Sequence, residues 1–124
     1  MTKIYRDRPE DITQVIQLLS KGKVVAVPTE TVYGLAADTF NISAVRQVFN
    51  IKGRPFIDPL IVHTFDMEGV NRLASLNPSA IKLANVFWPG PLTLVLPKTP
   101  EVPGIVTANL NTVAVSYTLL TLPT

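Results

Sequence analysis

Apolar residues recur three and four positions apart at Ile12, Val15, Ile16 and Leu19, the spacing of one helix face. The pattern predicts a helix over residues 9–21, opened by Pro9, Glu10 and Asp11 and stopped by Gly22. Residues 3–6 could add a short strand before it. Residues 23–27 are apolar, β-branched and closed by Pro28, which reads as a buried strand. Residues 29–39 leave that strand as a loop, and residues 33–37 could form another strand. Asn41 or Ser43 can cap a helix whose inward face is Val45, Val48 and Phe49. That helix must end near Gly53, because Arg54 precedes Pro55.

The second half repeats the alternation. Residues 60–62 read as a buried strand with His63 at its carboxyl end. Residues 66–75 read as helix. Asn77 and Pro78 supply a cap and a first-turn proline for another, with Ile81, Ala84 and Phe87 as its inward face. Residues 92–96 form a strand between Pro91 and Pro97, and residues 113–115 form the last. Strands alternating with helices predict a layered α/β sheet. No internal repeat, low-complexity tract or linker breaks the chain, so one domain is expected.

Composition narrows the function. The 124 residues are 47% hydrophobic and 16% charged, too apolar for disorder. No apolar run reaches the ~20 residues of a membrane span. The N-terminus lacks a leader pattern, so a cytoplasmic protein is expected. Zero cysteines and a single histidine exclude thiol nucleophiles, disulfides and a zinc site. With one histidine and no cysteine, no Ser-His-Asp or Cys-His order is assembled. A net charge of +2 permits phosphate or RNA binding without demanding it. Eleven prolines, five of them between residues 89 and 103, make that stretch turns and extended chain.

Two loops after buried strands concentrate polar groups, where open α/β sheets collect ligands. Thr29, Glu30, Thr31 and Tyr33 offer hydroxyls and a carboxylate; a plain hydrogen-bonded turn is the alternative. Lys52 and Arg54 flank Gly53, a point charge beside a bidentate fork suited to phosphate oxygens. Both could instead be solvated cations at a helix C-terminus. Neither the Walker pattern nor G-x-G-x-x-G occurs. His63 could serve chemistry or simply end a strand, and Trp88 with its prolines reads as a packing corner, with a lid or stacking surface as the alternative.

Read together, PTETVYGLAAD (28–38), KGRPFIDPLIVH (52–63), FWPGPLTLVLPK (87–98) and VTANLNTVAV (106–115) resemble, in order and spacing, the YrdC-like threonylcarbamoyl-AMP synthases. The resemblance covers nearly all of residues 10–115. It implies a three-layer α/β (α+β) fold, a twisted mixed sheet flanked by helices, with the site in a basic concave groove. It implies an enzyme that joins L-threonine, bicarbonate or CO2 and ATP into L-threonylcarbamoyl-AMP and pyrophosphate. A separate transfer complex would then modify position 37 of ANN-decoding tRNAs. By position, Lys52 and Arg54 match the phosphate-binding, catalytic pair. Thr31 and His63 match threonine contacts, and Asp58 and Thr112 match ATP contacts, although the family commonly has Asn at position 58. Mg2+ is expected with the ATP, with no ligand set readable.

The resemblance also implies departures. Where the family continues with an arginine and a Ser-Ala-Asn motif, residues 116–124 read SYTLLTLPT. Residues 1–115 are therefore expected to be a YrdC-like domain incomplete at its C-terminus, with 116–124 an atypical tail. A homo-oligomer is expected to cover the unpaired edge. A non-catalytic module binding tRNA or double-stranded RNA, and an inactive truncated fragment, remain the alternatives.

Overall fold

In a computed structural model, residues 3–28 and 32–118 are described. They fall into two compact units that divide after Gly53.

In the first unit, α1 (Pro9–Ser20) leads to a hairpin of β1 (Val25–Pro28) and β2 (Tyr33–Ala36), followed by α2 (Ile42–Lys52). The hairpin is antiparallel, with Val25 opposite Ala36 and Pro28 opposite Tyr33. α2 begins where its cap dictates: the Asn41 carboxamide oxygen accepts from the Ala44 N–H at 3.0 Å. It stops at Gly53, whose φ of 62° a side chain would resist. Ala44, Val45, Val48 and Phe49 are buried along its inner face, as their spacing requires.

Three expectations change here. Residues 3–6 are not a strand. Arg6 is engaged locally instead: its N–H donates to the Asp11 carboxylate and its carbonyl accepts from the Arg8 N–H. β1 is half-buried rather than buried, with Ala26 exposed. In α1, Ile12 and Ile16 are exposed, and Val15, Leu18 and Leu19 form the half-buried stripe instead.

The second unit holds β3 (Ile61–Thr64), α3 (Met67–Leu73), α4 (Pro78–Phe87), β4 (Thr93–Pro97) and β5 (Thr112–Tyr117). The sheet order is β3-β5-β4. β3 runs parallel to the central β5, and β4 runs antiparallel to it. The fold is thus mixed α/β, as expected. Val62, Val115 and Leu94 stand in one cross-strand row, and all three are buried. Each such side chain stabilises the unit by about 1.5–3 kcal/mol. α3 packs against β3 and β5 and adds Val70 and Leu73 to the core. The neighbouring row, Ile61, Ala114 and Val95, belongs to the opposite face, and Ile61 and Val95 are more than half exposed. β3 is therefore buried on one face only.

α4 starts at the predicted cap: the Asn77 side chain accepts from the Ala80 N–H at 2.8 Å, with Pro78 in the first turn. Its inward stripe differs from the expected one. Ala80, Ala84 and Trp88 are buried, four residues apart, while Ile81 and Phe87 are exposed. Trp88, the residue after the helix, ends the stripe. Its indole N–H donates to the Leu92 carbonyl at 2.7 Å, and its ring lies 6.0 Å from that of Tyr117. The aromatic-proline corner is a packing device. β5 extends through Tyr117, two residues beyond the strand expected from the sequence.

Candidate functional site

The two strands that run parallel, β3 and β5, end side by side. His63 is opposite Ser116 and Thr64 opposite Tyr117. Just beyond them, His63, Thr64, Phe65 and Thr118 line a hollow of about 80 Å³. The carboxyl ends of parallel strands are where α/β sheets place ligands. The Thr118 N–H donates to the Thr64 carbonyl at 3.3 Å, which ties the two strand ends together. His63 is exposed, so its imidazole meets solvent with one donor and one acceptor nitrogen when neutral. Phe65 adds an exposed apolar wall. The lining surface is almost wholly apolar, so the hollow suits the short apolar part of a small molecule.

The loop that enters β3 carries the cation. Gly53 ends α2, and the proline after Arg54 keeps that residue out of the helix. Residues 55–58 then turn, with the Asp58 N–H donating to the Pro55 carbonyl at 3.2 Å. The Leu60 N–H anchors the loop's far end on the Val106 carbonyl at 2.9 Å, and Val106 is buried. On this frame the Arg54 guanidinium is held twice. Its Nε lies 3.4 Å from the Asp58 carboxylate. Its Nη2 donates to the Pro59 carbonyl at 3.3 Å.

The structure places the other expected residues as follows. Lys52 is the exposed last residue of α2. Thr112 is the exposed first residue of β5, opposite Pro97. It shares a sheet face with His63 but sits four residues earlier along β5 than His63's partner Ser116. That separation is about 13 Å along the strand, so a ligand touching both must be extended. Arg54 and Asp58 are brought together; His63 and Thr112 are not. Thr31 lies outside the described residues, as do Thr29 and Glu30. Thr64, Phe65 and Thr118 were not singled out in the sequence. Thr64 is the last residue of β3, and Phe65 and Thr118 each stand one residue past a strand; that place at a strand's carboxyl end is the signal that would have found them.

Among the described residues, no group of three or more histidine, cysteine or carboxylate side chains could hold a metal ion. None of the helices is long and apolar enough to cross a membrane.

A mixed sheet whose parallel strands end in hydroxyls and an imidazole is the layout in which α/β proteins collect small ligands. Comparison with known proteins narrows this class to one family. The chain belongs to the Sua5/YciO/YrdC family, whose model, described as Telomere recombination, matches residues 17–122. It is 52% identical over 98 residues to the threonylcarbamoyl-AMP synthase of Pyrococcus abyssi, an alignment covering 78% of this chain and 29% of that protein. It is 47% identical over 106 residues to the threonylcarbamoyl-AMP synthase of Bacillus subtilis, covering 84% of this chain and 31% of the relative. The crystal structure of P. abyssi Sua5 complexed with L-threonine superposes with a TM-score of 0.87 at 45% identity, covering 94% of this chain and 36% of that one. The chain thus spans about a third of the length of these relatives.

Proposed function

We propose that the chain carries the threonine- and ATP-handling part of an L-threonylcarbamoyl-AMP synthase. One observation carries the reading. The hollow at the β3 and β5 ends, with His63 in its wall, occurs in a chain 45% identical to a protein solved with L-threonine. In this reading His63 and Thr31 hold the amino acid, and Lys52, Arg54, Asp58 and Thr112 line the path of ATP.

The chemistry asks for positioning more than for covalent help. The threonine amine adds to CO2, supplied by bicarbonate, and loses a proton to give a carbamate. A carbamate oxygen then attacks the α-phosphorus of ATP. The new P–O bond forms as the bond to the β-phosphate oxygen breaks, and pyrophosphate departs with that electron pair. Two anions must be held together, so cationic donors aimed at the phosphates supply the stabilisation. The Arg54 fork and the Lys52 ammonium have that character. Mg2+ would arrive on the phosphates of the nucleotide substrate. The product is destined for a transfer complex acting at position 37 of ANN-decoding tRNAs, in the cytoplasm. A homo-oligomer is the proposed working form.

The test is pyrophosphate release from ATP by the purified chain. Release that requires both threonine and bicarbonate is expected. No threonine dependence, with salt-sensitive retention of tRNA or double-stranded RNA, would overturn the reading in favour of an RNA-binding module.

A further inference from the structure

We propose that Asp58 is an internal counter-ion that occupies Arg54 and is displaced by the anionic ligand. This deepens, and rests on, the reading of Arg54 as a phosphate-binding residue. Arg54 meets its own loop through two groups, Nε toward the Asp58 carboxylate and Nη2 toward the Pro59 carbonyl. Nε and Nη2 make one edge of the guanidinium fork. A phosphate that takes this edge with two parallel bonds must displace both acceptors.

The ion pair is not what shapes the loop. The turn is closed by the Asp58 N–H on the Pro55 carbonyl, and the chain beyond it is anchored by Leu60 on Val106. Pro55 and Pro59 fix two further φ angles. The pair is also open to solvent, the two side chains being 36% and 48% exposed. Exposed pairs of this kind open at small cost. The carboxylate therefore acts on the availability of Arg54. It shields the cation when no ligand is present, and it repels an incoming phosphate until it moves aside.

The experiment measures the affinities of inorganic pyrophosphate and of ATP by calorimetry at low salt. The proteins are the wild type, Asp58→Asn, Arg54→Ala and the double variant, each with its melting temperature. Asn keeps the size of the side chain and its acceptor oxygen and removes only the charge. Asp58→Asn is expected to bind both probes roughly two- to fivefold more tightly. Salt should shrink the difference, and the melting temperature should stay unchanged. The gain should vanish when Arg54 is absent. Binding by Asp58→Asn that equals or falls below wild type, or is undetectable in both, would overturn the proposal. Arg54→Ala binding as tightly as wild type would instead sink the phosphate role of Arg54 itself.

Discussion

His63 is exposed while Val62 beside it is buried, so its imidazole is available for a ligand at little structural cost. His63→Ala should raise the KM for threonine about tenfold or more, the worth of a hydrogen bond to a charged group. ATP affinity and melting temperature should hardly move. A large fall in melting temperature with threonine use intact would assign the histidine to packing. Asp11 gives a second, independent test in the first unit. The Arg6 backbone N–H at 2.8 Å and then the Arg8 guanidinium at 3.0 Å hold its carboxyl below the ordinary value of 3.8, against the effect of its burial. A carboxyl whose folded pKa is depressed stabilises above its unfolded pKa and loses that contribution as pH falls through the folded one. Asp11→Asn should therefore melt below wild type at pH 7. The gap should close under acid conditions below 3.8, which thermal scans across pH would show.

Adjacent positions on β4 separate burial from exposure. Leu94 stands in the buried row and Val95 points the other way, 65% exposed. Leu94→Ala should cost about 2–5 kcal/mol in chemical denaturation, whereas Val95→Thr, still β-branched, should stay within about 0.5 kcal/mol. In α2, Asn41→Ala removes the side-chain oxygen that caps the Ala44 N–H and should cost about 1 kcal/mol. Local rules made the helices readable: Asn41, Gly53 and the Asn77-Pro78 pair mark boundaries with side-chain chemistry that acts within a few residues. The inward stripe of α4 was readable only in part. A helix this apolar offers several stripes: the spacing picked out Ala84, which is buried, but size favoured Ile81 and Phe87 over Ala80, the small residue that is buried in their place. The site was legible in its pieces, since Arg54 and His63 each stand out by residue type. The Arg54–Asp58 pair was not, because a four-residue spacing brings side chains together by rule only in a helix, and here a proline turn does it.

Beyond single strands, the second unit leaves one sheet face with Ile61 and Val95 flanking Ala114, both large side chains in water. Contiguous exposed apolar surface favours association. The chain should self-associate as concentration rises in sedimentation, and Ile61→Thr with Val95→Thr should shift it toward monomer without loss of secondary structure. Concentration-independent monomer in the wild type would refute this. Which strands touch was the part of the fold that periodicity could not supply. β3 and β4 never meet; both lie against β5, and β5 is the last of the three in the chain. A ribosome makes the outer two strands first and the one between them at the end. Until Tyr117 clears the exit tunnel, His63 has no neighbour for its strand and Leu94 no row to join. The second unit is therefore committed to folding late, all three strands at once, and the nascent chain must carry two unpaired apolar strands until the middle one arrives.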